Sequence, residues 1–517
     1  MALFEIVIGL LVAGALLAAA ARRIGAPYPA FLALAGAALA LVPSAPSLSL
    51  QPSLVLVLFV APVLLDAAFD ASPRDLRDHW RPIVGGAVGG VLLTVAGVAL
   101  VARWLEPAMP WPVAITLGAI VAPPDAAAAT AVLRALRPPH RVMVVLEGES
   151  LFNDATALLV YRVAVAAALG HWAGWAATPL LALSILGGVV LGMAMGWLMP
   201  RVLSRVGDVP TSVVLQFFGV FAVWLIADRL ALSPVIAMVS FAITVARIAP
   251  WRMGARHRIQ SYAVWEVAVF VLNVLAFIFT GLQLRPILAA LPDWRTYAGF
   301  AGAVLVAVIV ARFAWVAAYN TVARWRDRRY GVRRRGIMTP PTVGTGMTIA
   351  WCGMRGIVTL ATALALPEVG GGDDGSGFPF RNLVLFSAFI TVLGTLVLQG
   401  LTLRPLMRFL NLTDDGAVER EIVLARRHTA EAALRFLADD ADPYAEALRA
   451  EYRARAAGRD PGHETVPVER RRRALAAERQ ALLALRQSDT IGDNAFHTVE
   501  EELDWGEMYV ESRLDRA

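Results

Sequence analysis

Three carboxylates and two neutral polar side chains are concentrated in one otherwise apolar stretch, which reads EGESLFND at residues 147–154. At helical spacing, Ser150 and Asp154 are four residues apart and share one face. Glu149 and Asn153 form a second pair, rotated by about 100° around the helix. Hydroxyl and carboxylate oxygens are hard ligands that suit a small alkali cation, so the first face is a candidate cation site.

The apolar residues around this stretch predict a membrane helix over residues 141–169. At about 1.5 Å per residue, Asp154 lies about 20 Å from the start of that helix, near the middle of an apolar core about 30 Å thick. An ionisable group at that depth costs about 2.5–3.5 kcal/mol and indicates a function. A carboxylate that holds either a proton or a cation, but not both, performs exchange. All seven histidines fall in predicted loops or in the tail, so a proton pathway must use carboxylates.

Other charged residues within predicted spans complete the candidate site. Asp125 follows two prolines, and Asp66 lies near the end of an apolar run. The predicted intramembrane cations are Arg162, Arg312 and Arg355. We expect Arg355 to neutralise Glu149, because an unpaired arginine buried in the membrane is very costly. Asp154 and Asp125 then remain as the groups that bind an ion or a proton.

The elements that position these residues follow from the composition. The chain has 517 residues, of which 58% are hydrophobic and 17% charged. Repeated apolar windows of 18 residues or more predict an all-α polytopic membrane protein. We expect thirteen spans, at about 3–21, 29–43, 53–70, 83–102, 111–135, 141–169, 177–199, 213–231, 233–249, 262–284, 297–320, 342–366 and 383–403. The single cysteine, Cys352, excludes an internal disulfide framework and a cysteine-cluster metal site.

Arginines in the predicted connections alternate clearly between the two sides of the membrane. One side carries 21 of them, including seven between Arg324 and Arg335, and the other side carries five. The positive-inside rule then places the N-terminus outside and the C-terminus in the cytoplasm. These arginines explain the basic character of residues 1–410 as loop charge on one membrane face, so no nucleic-acid partner is expected.

Two interrupted spans indicate a repeated architecture. Thirteen spans predict two inverted six-helix repeats joined by one helix, so that the fifth span corresponds to the twelfth. Pro123 and Pro124 remove two backbone donors and break the fifth span. We expect Gly344 and Gly346 to loosen the twelfth. Matching broken helices in two inverted halves are typical of a transporter binding site at the membrane midplane.

The last part of the chain is predicted to leave the membrane. Residues 1–410 form the predicted transmembrane domain, and residues 411–517 form a cytoplasmic helical domain with a regulatory or accessory role. Helical periodicity occurs at about 417–438, 443–457, 467–487 and 491–514. This segment holds 23 acidic residues against 16 arginines, the reverse of the membrane part.

Four segments together resemble one family. The stretch at 147–154 resembles the signature of the monovalent cation:proton antiporters, in the branch of the NhaP-type bacterial proteins and the animal sodium/proton exchangers. The segment at 265–284 is similar to the span that precedes the second half of that family's core. The GMRG sequence at 353–356 looks like its glycine-arginine-glycine motif, and residues 122–125 resemble its broken helix.

The resemblance implies a dimer of thirteen-helix protomers in which a six-helix core moves by an elevator mechanism. It implies the following roles: Asp154 as the ion- and proton-binding carboxylate, Ser150 as a ligand, Asp125 in or beside the site, and Glu149, Asn153 and Arg355 as a structural network. Asn153 in place of a second Asp is associated in the family with electroneutral exchange. Two positions depart from the family pattern: Pro124 replaces a Thr that would carry a hydroxyl, and Asp66 replaces a Glu.

We therefore expect a secondary active antiporter of the bacterial cytoplasmic membrane, not an enzyme. It would exchange Na⁺, or also Li⁺ or K⁺, for H⁺ in pH and sodium homeostasis, at Asp154, Ser150, Asp125 and Asp66. These ions are substrates, no cofactor is expected, and the partners are the lipid bilayer and a second copy of the chain. A K⁺/H⁺ antiporter, an electrogenic antiporter and a channel or sensor are the alternatives. An intramembrane hydrolase is disfavoured because Ser150 has no histidine at its depth.

Overall fold

The computed structural model describes residues 2–457 except 25, 44–50, 137, 171–177, 207, 253–254, 292–293, 331–341, 369–376 and 439–442, together with 475, 476, 478, 503, 505 and 507–509. Over these residues the structure is helical, with no β-strand. Apolar segments fold in this way because a helix satisfies every backbone hydrogen bond internally, without water.

The helices up to the one that carries Asp154 are α1 (Ala2–Arg23), α2 (Tyr28–Ala40), α3 (Pro52–Val55), α4 (Ala61–Asp70), α5 (Pro73–Asp78), α6 (Trp80–Val84), α7 (Val91–Leu105), α8 (Trp111–Val121), α9 (Ala126–Leu136) and α10 (His140–Ala168). A π-helical segment, Leu56–Val60, joins α3 to α4. A second one, Gly85–Gly90, joins α6 to α7. Such segments are rare and often occur at functional sites.

The remaining helices are α11 (Thr178–Leu203), α12 (Val209–Arg229), α13 (Pro234–Arg252), α14 (Ala255–Leu282), α15 (Leu284–Ala289), α16 (Trp294–Tyr330), α17 (Val343–Trp351), α18 (Ile357–Leu364), α19 (Arg381–Phe409), α20 (Ala417–Phe436) and α21 (Pro443–Ala456). Each predicted span overlaps one helix or a pair of helices. Within the described chain, eight helices are long and apolar enough to cross a membrane, and four shorter apolar helices accompany them. The chain is a multi-pass membrane protein. The count of thirteen crossings and the inverted relation of the two halves stay predictions.

The membrane helices pack in two groups. One group contains α1, α2, α4 and α11 to α14, and the other contains α7 to α10 and α16 to α19. Glycines bring α2 and α14 together: a Cβ on Gly36 would lie 2.3 Å from the carbonyl oxygen of Ile278. Small residues permit this approach of two helix backbones. The groups meet where α2 contacts α19, α10 contacts α13, and α14 contacts α18.

The break in the fifth span is present, but the break in the twelfth span lies elsewhere than predicted. The chain leaves the helix at 122–125, between α8 and α9, and again at 352–356, between α17 and α18. Gly344 and Gly346 lie in the first turn of α17, so their assignment to the break was wrong. Thr342 caps α17 there through the backbone N–H of Thr345. A glycine keeps its backbone donor, so a capped helix continues through it.

The chain divides into two compact units, Met1–Asp415 and Gly416–Ala517. In the second unit, α20 and α21 pack against each other. The helices predicted at 467–487 and 491–514 fall mostly outside the described residues. The domain boundary at residue 410 and the regulatory role of the tail stay predictions.

Candidate functional site

The two helix breaks are bonded to each other. The backbone N–H of Asp125 donates to the carbonyl oxygen of Met354 at 2.7 Å. Pro123 and Pro124 cannot donate backbone hydrogen bonds, and the extended backbone of Gly356, with φ −133° and ψ −152°, precedes α18. The crossing of the two broken helices therefore places the ends of four half-helices beside Asp125.

Arg355 closes the end of α8 at this crossing. Its side chain is almost fully buried and donates to the carbonyl oxygens of Val121 at 2.9 Å and Ala122 at 3.0 Å. It also donates to the carbonyl oxygen of Gly353. The last carbonyls of a helix lack intrahelical donors and form the negative end of its dipole. Arg355 therefore satisfies the carbonyls that the proline break leaves open.

Glu149 pairs with Arg312, and the prediction that it pairs with Arg355 was wrong. Arg312 Nη2 donates to Glu149 Oε2 at 2.8 Å, and Nη1 donates to Oε1. Both side chains are at most 4% exposed. A Cβ on Gly86 would lie 2.7 Å from the Glu149 carboxyl carbon, so the second π-helical segment makes room for this carboxylate. The pair is neutral as a unit, which agrees with a structural role for Glu149.

Asn153 connects α10 to the first break. Its side-chain amide donates to the carbonyl oxygen of Pro124 at 2.8 Å, and the side chain is fully buried. Pro124 lies in the break between α8 and α9, so its carbonyl oxygen is outside the regular hydrogen bonding of either helix and needs another donor. Asn153 supplies that donor and fixes the height of α10 relative to the crossing.

Asp125 and Asp154 are the two carboxylates at the crossing. Asp125 Oδ1 accepts the backbone N–H of Ala127 at 2.9 Å, as a cap for α9. A Cβ on Gly356 would lie 1.6 Å from Asp125 Oδ2, so this position leaves room for Asp125 only as glycine. Asp154 is 7% exposed, and none of the described residues donates a hydrogen bond to it. Asp125 and Asp154 both line one cavity.

One cavity of ≈ 1090 Å³ contains the predicted ion ligands. Asp125, Ser150 and Asp154 line it from the group of helices that contains α10. Asp66 lines it from α4, in the other group, together with Asn273 of α14. The sequence-predicted residues are thus brought together in one space that lies between the two helix groups.

The same cavity extends to the arginine-rich side of the chain. Arg22, Leu203 and Ala249, which lie in the last turns of α1, α11 and α13, line it. The arginines that the sequence analysis places in the cytoplasm lie at the ends of these helices or shortly after them. At this end, the Arg22 guanidinium lies 5.1 Å from the centre of the Phe270 ring.

Sequence reasoning missed two features of the site. The first is the ion pair of Glu149 with Arg312, a residue that lies 163 positions further along the chain. The second is a polar wall of the cavity: Trp265 Nε1 donates to Gln216 Oε1 at 3.1 Å, and Gln216 Nε2 donates to Ser261 Oγ at 3.1 Å. Polar residues at matching depth were visible in the sequence, but nothing in their spacing pairs α12 with α14.

The family follows from a comparison with known proteins. The family model described as "Sodium/hydrogen exchanger, transmembrane" matches residues 8–409. The chain belongs to this family. It is a transporter, and its family performs cation/proton antiport, as the arrangement of buried carboxylates predicts.

Relatives and solved structures agree with this membership. The chain is 32% identical to an uncharacterized Na⁺/H⁺ exchanger of Mycobacterium tuberculosis, over 97% of this chain and 96% of that protein. It is 31% identical to a sodium, potassium, lithium and rubidium/H⁺ antiporter of Bacillus pumilus, over 74% of this chain but 57% of that protein. The fold is similar to that of the sodium proton antiporter MjNhaP1 from Methanocaldococcus jannaschii, with a TM-score of 0.60 and 18% identity, covering 77% of this chain and 100% of that one.

Proposed function

We propose that the chain exchanges Na⁺ for H⁺ across the bacterial cytoplasmic membrane, with both ions binding in turn to Asp154. The observation that carries this proposal is the state of Asp154: it is buried, lines a large cavity together with Asp125, and receives no hydrogen bond from the described residues. A buried carboxylate without a partner must be neutralised by a proton or a cation. Competition for one carboxylate couples the two ions.

The charges around the site favour one-for-one, electroneutral exchange. Arg312 neutralises Glu149, and Asn153 carries no charge. Replacing a proton on Asp154 by a monovalent cation then leaves the net charge of the loaded site unchanged. Asp125 Oδ1 accepts the backbone N–H of Ala127 as a helix cap, and we propose that Asp125 therefore adds no second transported charge.

The position of the cavity supports alternating access by an elevator movement. The ligands from α10 and the crossing lie on one side of the cavity, and Asp66 lies on the other. Movement of the α10 group along the other group would carry Asp154 from one membrane face to the other. In this structure the cavity extends to the arginine-rich face, which we assign to the cytoplasm. We further propose that the protein is a homodimer with an external N-terminus, and that residues 411–517 have an accessory role.

The test is cation-induced collapse of a preset pH gradient in proteoliposomes. We expect Na⁺ to dissipate the gradient with wild type, Asp154→Asn to be inactive, and Asp78→Asn, which changes an exposed carboxylate at the end of α5, to be active. Exchange activity in Asp154→Asn would refute the proposal. A folded wild type whose pH gradient responds to no cation would also refute it. Li⁺ and K⁺ added separately give the selectivity, because the names of relatives include several alkali cations.

An electrogenic antiporter and a channel are the remaining alternatives, and charge movement separates them from this proposal. We expect valinomycin with K⁺, which collapses any membrane potential, to leave the Na⁺-driven rate unchanged. Acceleration by valinomycin would indicate net charge transfer in each cycle. A current carried by Na⁺ without proton movement would indicate a channel.

A further inference from the structure

One buried hydroxyl in the cavity wall has no hydrogen-bond partner among the described residues. Thr359 lies in the first turn of α18, is 1% exposed, and lines the cavity together with Asp125 and Asp154. Its Oγ1 neither donates nor accepts a hydrogen bond in the described structure. In the described part of the chain, the buried hydroxyls of Ser212 and Ser387 also lack partners, but neither residue lines this cavity.

The helix break explains why this hydroxyl is unpaired. A threonine in a helix normally donates to the carbonyl oxygen three or four residues earlier. For Thr359 those residues are Gly356 and Arg355, which precede the helix and have left helical geometry. One turn further along, Thr362 makes the usual bonds, to the carbonyl oxygens of Val358 at 2.8 Å and Thr359 at 3.0 Å.

Several backbone carbonyl oxygens at the crossing already accept hydrogen bonds. A small alkali cation that loses its water needs several hard oxygen ligands. The carbonyl oxygens of Val121 and Ala122 already accept from Arg355, and that of Pro124 accepts from Asn153. Position 124 is proline and offers no side-chain oxygen. Ser150 is the hydroxyl that the sequence predicts, and it lines the same cavity.

We propose that the Thr359 hydroxyl is a ligand of the transported cation, which completes the set formed by Asp154, Asp125 and Ser150. This inference rests on the proposed exchange function. An unpaired buried hydroxyl carries a desolvation cost that a bound cation removes. As a neutral ligand, Thr359 stabilises the cation without adding a charge, and so preserves the one-for-one stoichiometry.

The test compares Thr359→Val, which keeps the shape and removes the hydroxyl, with Thr359→Ser, which keeps the hydroxyl. We expect Thr359→Val to raise the apparent KM for Na⁺ about tenfold, equal to about 1.4 kcal/mol, with the maximal rate retained. Thr359→Ser should remain close to wild type. The matched control is Thr362→Val, whose lost hydroxyl bonds only to its own helix, so its KM should not change.

A binding measurement keeps the inference testable when transport is damaged. Na⁺ raises the melting temperature of a protein that binds it, and the rise begins near the dissociation constant. We expect this onset to move to higher Na⁺ in Thr359→Val and not in Thr359→Ser; if Thr359→Val does not fold, Thr359→Ala replaces it. An unchanged KM and onset in the variant without the hydroxyl, or equal shifts in Thr362→Val, would overturn the inference while leaving exchange intact. Absence of Na⁺-driven exchange in folded wild type would instead refute the proposed function, and this inference with it.

Discussion

The buried ion pair between Glu149 and Arg312 allows a quantitative test of how the core is held together. The two side chains share two hydrogen bonds and are at most 4% exposed. They join α10, which carries Asp154, to α16. The perturbation is a cycle of Glu149→Met, Arg312→Met and the double variant, which replaces the pair by apolar side chains of similar length.

The expected magnitudes follow from this burial. Removing one partner leaves the other as an uncompensated charge, which costs about 3–5 kcal/mol in a buried pair. Removing both leaves no charge, so the double variant should cost less than either single variant, and such replacements range from neutral to about 1–4 kcal/mol stabilising. The coupling energy should therefore be large and favourable.

The free energy of unfolding can be measured in detergent by titration with SDS, followed by tryptophan fluorescence. The control is the cycle of Glu149→Met with Arg355→Met, where we expect nearly additive losses because Arg355 bonds to backbone carbonyls. A second control, Arg427→Met in the exposed pair with Glu431, should cause no measurable change. Additive losses for Glu149 and Arg312, or strong coupling of Glu149 to Arg355, would refute the reasoning.

Two further predictions concern the crossing and the loop before α6. Gly356→Ala should displace Asp125, lower the free energy of unfolding by about 1–3 kcal/mol and reduce exchange. The control is Gly302→Ala, whose Cβ would meet nothing within 4 Å and which should have none of these effects. Equal effects of the two substitutions would contradict the steric argument. Burial lowers the pKa of His79 below its usual 6.5, so folded protein binds this proton less readily than unfolded protein. Wild type should therefore lose melting temperature as the pH falls below about 6.5. His79→Asn, which can keep a donor to the Asp75 carbonyl oxygen, should lose less, and identical pH profiles would count against this assignment.

The membrane helices and the position of the first break could be predicted because each depends on residues close together in the chain. Apolar runs of sufficient length form membrane helices whatever surrounds them. Pro123 and Pro124 remove backbone donors wherever they lie, so the break at 122–125 was predictable. Gly344 and Gly346 keep their backbone donors, so α17, which is capped at its start, includes both of them.

The pairing of buried charges depended on the packing of distant helices. Spacing within α10 put Ser150 and Asp154 on one face, but three intramembrane arginines were available for one glutamate. The structure placed Arg312 of α16 beside Glu149 and turned Arg355 toward the end of α8. Because each pairing depends on how the helices cross, no local pattern could have selected between them.

The sequence by itself determined the class of protein and the apolar segments that form its helices, and it identified the carboxylates within them, because the cost of polar groups in lipid acts on every segment separately. Tertiary structure alone decided which of these groups meet. It brought Asp66 and Asn273 to the cavity that holds Asp154, paired Glu149, and left the Thr359 hydroxyl open. These contacts join residues far apart in the chain, and their geometry is set by how whole helices pack.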